Sequence, residues 1–115
     1  LKLRQVVLEQ FGGSVDEDPG RATTFKGLKG CRYLQQVINE TARLGGREKA
    51  WFGGGPQICP GQQSALTKTA YVVMRLLQRF DRIGSWEPEQ NAKHNVTATM
   101  CSGTGVKVKL HTESA

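Results

Sequence analysis

The sequence predicts a mainly helical α+β chain that ends in a β-hairpin. Three segments repeat apolar residues every three or four positions, which is the spacing of an amphipathic helix. Near the C-terminus apolar residues instead alternate with threonine or lysine, as in a half-buried strand. The chain has 115 residues, enough for one small domain with a core of its own.

Each helix follows from its apolar stripe and from the residues that begin or end it. The first is predicted over 2–11, where it stops at a pair of glycines. The second is predicted over 28–44, again before two glycines. The third is predicted over 60–80, because proline suits the first turn of a helix and an apolar stripe begins at Leu66. The second and third helices are expected to pack against each other.

The remaining segments are predicted to be loops and a hairpin. Residues 13–24 combine turn formers with charge, as an exposed loop does. Apolar residues alternate with threonine over 96–100 and with lysine over 106–110, and 102–105 can form the turn between them. The sequence therefore predicts a hairpin over 95–111.

Charge and apolar content exclude several classes of protein. The net charge is +6, yet lysine and arginine are scattered, without a run of three and without interleaved aromatic residues. This distribution favours a solvated basic surface and no nucleic-acid binding. The longest apolar stretch, 70–74, is too short to span a bilayer. The chain opens without a secretory leader, so we expect a fragment of a longer protein.

The cysteines argue against a disulfide framework and against zinc. Cys31, Cys59 and Cys101 are odd in number, far apart and never in a C-x-x-C pair. Cys31 lies on the apolar stripe of its helix and is expected in the core.

The segment whose residues could carry out chemistry is the cysteine loop, residues 52–61. It places Cys59 at the start of the third helix. The amides and the dipole of a helix N-terminus favour a thiolate there. Glycines let the backbone lie against a large planar ligand, and Phe52 can shield the sulfur from water. A haem iron held by cysteine meets these requirements, whereas a phosphate loop needs a Lys-Ser or Lys-Thr that is absent after the glycines. The alternative is an unliganded thiol in a flexible loop.

The loop resembles that of the cytochrome P-450 haem-thiolate monooxygenases. Phe52, Gly55, Cys59 and Gly61 stand as in the family's cysteine-ligand motif. The resemblance implies the C-terminal part of the P-450 fold, with Cys59 as axial ligand of the haem iron and Phe52, Gly55 and Gly61 around the sulfur. It also implies that Gln57 lies near a haem propionate, where the family usually has a basic residue.

A second motif stands before the loop, as it does in the family. Glu40-Thr-Ala-Arg43 is similar to the family's E-x-x-R motif, and it lies within the second predicted helix. The resemblance implies a buried structural lock, while the spacing alone also fits an ordinary surface ion pair. Four segments look like the fungal members that hydroxylate alkanes and fatty acids: residues 2–4, 70–81, 95–97 and 105–108.

The resemblance also implies an activity, partners and a location. The family inserts one oxygen atom of O2 into a lipophilic substrate, with electrons from NADPH through a flavoprotein reductase. It does so at the cytosolic face of the endoplasmic reticulum membrane, held by an N-terminal anchor. We expect no such anchor in this chain, which would then be cytoplasmic. Several dozen residues that separate the two motifs in the family are also missing here between Leu44 and Phe52. We therefore expect a truncated form with little or no activity; the alternatives are a non-catalytic remnant and a small basic interaction module.

Overall fold

The computed structural model describes residues 2–13, 23–44, 52–53, 55–86, 94–96, 100–103 and 105–112. The chain divides into two compact units, Leu1–Arg79 and Phe80–Ala115. The first is helical and the second contains short antiparallel strand pairs, which confirms the predicted fold class. No helix among the described residues is long and apolar enough to cross a membrane. Most of the predicted loop at 13–24 lies outside the described residues.

Four α-helices, one 3-10 turn and four strands are present in the described part of the chain. Helices α1 to α4 are Lys2–Phe11, Phe25–Gly30, Arg32–Leu44 and Gln62–Arg79, and strands β1 to β4 are Arg82–Ser85, His94–Val96, Met100–Ser102 and Val108–His111.

The first helix has the predicted bounds. It ends where Gly12 adopts a φ of 80°, which is the left-handed conformation that glycine permits. The Gly12 N–H donates to the carbonyl oxygen of Leu8 at 2.9 Å and closes the last turn. Gln78 of α4 then donates to the carbonyl of Gly12 at 2.9 Å, so the end of α1 is held against α4.

The second predicted helix is two helices, and the single helix over 28–44 was wrong. Cys31 separates α2 from α3 with a ψ of 84°, outside the helical range, and its N–H donates to the carbonyl of Gly27 at 3.1 Å. Glycines at 27 and 30 are poor helix formers, and this favours a break. The start lies three residues earlier than predicted because Thr24 caps α2, its hydroxyl accepting from the Gly27 N–H at 3.1 Å.

The longest helix, α4, begins two residues later than predicted. Pro60 and Gly61 form a turn rather than the first helical positions. The carbonyl of Gly61 accepts the first helical bond, from the Ala65 N–H at 2.9 Å, so Gly61 occupies the capping position.

The core of the helical unit forms where α1, α2 and α3 meet α4. The predicted packing of α3 against α4 is confirmed, and Cys31 is buried as expected. The α4 residues with the deepest burial are Ala70, Met74 and Leu77, whereas Leu66 is only half-buried. The buried apolar residues are Val7, Leu28, Cys31, Leu34, Ile38, Ala70, Met74 and Leu77.

The strand unit has hairpin pairing with a different register from the predicted one. β2 pairs with β3, and β1 pairs with β4, both antiparallel. The hairpin predicted over 95–111 joined residues 96–100 to 106–110 directly, and this pairing was wrong. β1 was missed because Arg-Ile-Gly-Ser is short and lacks apolar alternation, while its partner lies more than twenty residues further along the chain.

Candidate functional site

The cysteine loop is closed by hydrogen bonds between its own backbone groups. The N–H of Cys59 donates to the carbonyl oxygen of Phe52 at 2.7 Å, which brings the two ends of the loop together. A single 3-10 turn spans Gly55–Gln57, and the N–H of Ile58 donates to the Gly55 carbonyl at 3.3 Å. The N–H of Gln62 donates to the Cys59 carbonyl at 3.2 Å and joins the loop to α4. The predicted position of Cys59, just before the longest helix, is confirmed.

Gly53 is a residue whose role the sequence left unassigned. Its φ is +72°, and a Cβ at this position would lie 2.8 Å from the backbone oxygen of Gln57. Such an overlap with backbone cannot be relieved by a side-chain rotation. Gly55 also has a positive φ, of +60°, but open space surrounds it. The run of glycines was the available signal, although it did not distinguish these two positions.

The thiol of Cys59 lies in an exposed part of the loop. Cys59 is exposed and forms no disulfide, and Gln57 and Ile58 beside it are exposed as well. A Cβ on Gly61 would lie 3.7 Å from the Cys59 sulfur, so glycine there leaves that side of the sulfur open. Phe52 is half-buried. The loop thus presents one accessible sulfur on a closed backbone turn.

The donor set of the loop suits a metal that needs one ligand from the protein. Among the described residues, no three His, Cys, Asp or Glu side chains cluster as a metal site of their own. A haem iron takes its equatorial ligands from its own ring and accepts a single axial thiolate. Cys59 therefore fits this group by its chemistry. Gln57, being neutral, offers a propionate a hydrogen bond but no opposite charge.

Glu40 and Arg43 form an exposed ion pair on α3. Arg43 Nε donates to Glu40 Oε2 at 2.8 Å, and Nη2 donates to the other carboxylate oxygen, so the pairing is bidentate. Both side chains are 55% exposed. In this structure the Glu40–Arg43 pair is therefore a surface ion pair and not a buried structural lock.

This ion pair changes the titration of both partners. The hydrogen bond from Arg43, and then its positive charge, lower the pKa of Glu40 from its ordinary value. The hydrogen bond to Glu40 raises the pKa of Arg43. A lowered carboxyl pKa means that the pair contributes stability above the unfolded-state pKa of Glu40, and that this contribution is lost as the pH falls through the folded-state pKa.

Removing Arg43 is expected to return the pKa of Glu40 to its ordinary range. An NMR titration of the Glu40 side-chain carboxyl in the Arg43→Ala variant should give a higher pKa than in the unmodified chain. Arg32→Ala, which removes an exposed arginine from the same helix, is the matched control and should leave the Glu40 pKa unchanged. Equal effects of the two variants would show that the pairing does not form in solution.

A separate cleft of about 260 Å³ lies where α2 and α3 face α4. It contains none of the predicted site residues, and its volume is below the range usual for small-molecule sites. Its lining residues are Leu28, Lys29, Gln35, Asn39, Gln63, Leu66 and Thr67.

Comparison with known proteins assigns the chain to a class. It is 51% identical to cytochrome P-450 52A13 of Debaryomyces hansenii over an alignment of 179 positions, which includes 95% of this chain and 34% of the relative. It is 28% identical to cytochrome P-450 monooxygenase g430 of a Fusarium species, over 97% of this chain and 31% of the relative. A shorter match to cytochrome P-450 monooxygenase fsdH of Fusarium heterosporum is 48% identical over 64 residues. No protein-family model matches the chain, and no solved structure matches it.

These relatives are fungal cytochromes, several of them named as monooxygenases. The chain belongs to the cytochrome P-450 family, as the resemblance of its motifs indicated. It spans about a third of the length of the first two relatives, 31% and 32%.

Proposed function

We propose that the cysteine loop is a haem-binding site with Cys59 as the axial iron ligand. The observation that carries this proposal is the accessible Cys59 sulfur on a loop closed by the Cys59 to Phe52 hydrogen bond, directly before α4, in a chain of the P-450 family. When bound, a haem with a thiolate ligand supplies oxygen chemistry, since the sulfur donates electron density to the iron.

The other residues of the loop position the sulfur and shape its surroundings. Gly53 permits the turn that closes the loop, and Gly61 keeps one side of the sulfur open. Phe52 provides an apolar side chain at the base of the loop, and Gly55 begins the 3-10 turn that precedes Cys59. Gln57 is the residue proposed to meet a propionate. Glu40 and Arg43 are proposed to be structural residues that stabilise α3 and take no part in chemistry.

We further propose that this chain is a truncated monooxygenase with little or no activity of its own. The alignment with cytochrome P-450 52A13 of Debaryomyces hansenii is 179 positions long, whereas the chain has 115 residues, so this relative carries residues within the aligned region that have no counterpart here. Oxygen chemistry requires a closed, dry site, and the described part of the loop from Gly55 to Gly61 is exposed. A lipophilic substrate such as an alkane or a fatty acid, and an NADPH-dependent reductase, belong to the full-length activity.

Haem titration tests the proposed ligand. The full chain, mixed with haem and reduced under carbon monoxide, should develop a partial thiolate-type Soret shift, because the ligand is present while Gln57 leaves a propionate without a cation. Cys59→Ala should abolish the shift. Cys101→Ala removes another exposed cysteine and is the matched control, which should retain it.

A thiolate-type shift that survives Cys59→Ala, or no shift in any variant, would contradict the ligand assignment. The same samples, supplied with reductase, NADPH and a fatty acid, should form no product above a control without the chain. Product formation would contradict the truncated, inactive form while leaving the ligand assignment intact, so the two proposals fail separately.

A further inference from the structure

We propose that the β1–β4 ribbon, residues 82–86 paired with 107–111, docks on the surface of an anionic lipid membrane. The sequence scatters its lysines and arginines, but the strand register collects some of them on one side. Opposite residues of an antiparallel pair share a face, and successive residues alternate between faces. The ribbon therefore has two faces whose composition can be read from the pairing.

One face of the ribbon is apolar. Ile83 lies opposite Leu110, and Ser85 lies opposite Val108, so these four share a face. Val108 is 47% exposed and Leu110 is 42% exposed, and Val106 just before the strand is 81% exposed. Ile83 is half-buried, so this face is partly exposed. A two-stranded ribbon with such a face is only marginally stable in water. The exposed face is thus a surface that gains free energy from being covered.

The other face is cationic and carries a tryptophan. Arg82 lies opposite His111, and Gly84 lies opposite Lys109. The N–H of Trp86 donates to the Lys107 carbonyl at 3.1 Å and extends the pairing by one position. The Lys109 ammonium lies 4.3 Å from the centroid of the exposed Trp86 ring, a cation–π contact. Asp81, beside Arg82, is the one carboxylate in residues 80–86 and 105–112.

A membrane surface matches both faces at once. Side chains extend about 5 Å from the plane of a sheet, since packed sheets lie about 10 Å apart. If the apolar face enters the acyl boundary, the cationic face lies within the polar layer, which is about 5–7 Å deep on each side of a bilayer. Lysine and arginine then meet lipid phosphates, and Trp86 lies at the depth that tryptophan prefers.

The alternative occupants use only one of the faces. A single-stranded nucleic acid could stack on Trp86 and pair with the cations, but it would leave the apolar face in water. A second copy of this chain could cover Val108 and Leu110, but each copy carries a net charge of +6, which opposes association. Anionic lipid is the occupant that satisfies the apolar and the charged residues together.

Vesicle binding of the full chain tests the proposal. We expect binding to vesicles of phosphatidylcholine mixed with phosphatidylserine, weak binding to phosphatidylcholine alone, and a blue shift of tryptophan emission that Trp86→Phe removes. Lys107→Gln with Lys109→Gln should weaken binding roughly 25-fold, at about fivefold for each lysine near a charged surface. Val108→Ser with Leu110→Ser should also weaken it. Lys29→Gln with Lys68→Gln removes the same charge from exposed helical positions and should change binding little.

Three outcomes would overturn the proposal. The first is an equal loss of vesicle binding when the two ribbon lysines are replaced and when the two helical lysines are replaced. This would mean that net charge alone drives binding. The second is tight binding to single-stranded DNA that Val108→Ser with Leu110→Ser leaves unchanged, together with no vesicle binding, which would assign the cationic face to nucleic acid. The third is a dimer in sedimentation that those serine substitutions dissociate, again without vesicle binding, which would assign the apolar face to a second copy.

Discussion

Leu34→Ala is expected to lower the free energy of unfolding of the helical unit by about 2–5 kcal/mol. Leu34 is fully buried, at 0% exposure, on the face of α3 that packs in the core with α4. Truncation removes apolar contacts and leaves a cavity that the packed helices can only partly close. Alanine is a good helix former, so the loss reports packing rather than the intrinsic stability of α3. The total free energy of unfolding of a small domain is only about 5–15 kcal/mol, so this single change removes a large part of the stability.

Urea denaturation followed by far-ultraviolet circular dichroism measures this loss. Leu8→Ala is the matched control, because Leu8 is a half-buried leucine in α1 and its truncation should cost clearly less. If both variants unfold at the same urea concentration as the unmodified chain, the helices do not form a packed core around Leu34, and the chain behaves as a loosely packed remnant. That result would fit an ensemble with fluctuating tertiary packing.

The helices were predictable to the extent that their signals are local. α1 ends at glycines, and α4 carries a long apolar stripe, so periodicity and end signals placed both within two residues. The break at Cys31 was missed because the apolar stripe continues across it, with Cys31 and Leu34 both in the core. The hydrophobic pattern is the same for one continuous helix and for two helices that face the same neighbour.

The strand pairing could not be derived in the same way. β1 and β4 are joined by a connection of more than twenty residues, and their register depends on contacts that no local pattern encodes. Alternation correctly identified apolar and cationic positions over 106–110, but it assigned them the wrong partner strand. Because the pairing was wrong, the grouping of Arg82 and Trp86 with Lys109 on one face was not visible in the sequence.

The two motif regions, the cysteine loop and the Glu40–Arg43 pair, have some features that local sequence predicts and others that depend on the fold. A thiolate ligand was predicted from the position of Cys59 before a long helix and stays a prediction, whereas the family to which the motif resemblance pointed was confirmed by the comparisons. The exposure of the Glu40–Arg43 pair was not decided by the sequence, because an i, i+3 spacing fits a surface or a buried pair equally. A Cβ would overlap the Gln57 backbone at Gly53 but not at Gly55. This difference depends on how close the Gln57 backbone comes to each glycine, which only the folded loop reveals.

Gly53→Ala is expected to open the cysteine loop. A left-handed backbone costs alanine about 1–2 kcal/mol, and the overlap of its Cβ with the Gln57 carbonyl oxygen, at 2.8 Å, adds about 1–3 kcal/mol. The closed conformation should therefore be populated much less, and the hydrogen bond from the Cys59 N–H to Phe52 should break more often. Amide hydrogen exchange at Cys59, followed by NMR, should accelerate by at least about tenfold.

Two other glycines separate the causes of this effect. Gly55→Ala also places alanine at a positive φ, of +60°, but in open space, so it should accelerate exchange at Cys59 less than Gly53→Ala does. Gly84→Ala lies in β1, where an added Cβ meets nothing within 4 Å, and it should leave exchange at Cys59 unchanged. Equal acceleration in the Gly53 and Gly55 variants would mean that backbone conformation alone closes the loop. No acceleration in either would mean that the loop stays closed with a Cβ at position 53, and this would contradict the overlap of that Cβ with the Gln57 carbonyl oxygen.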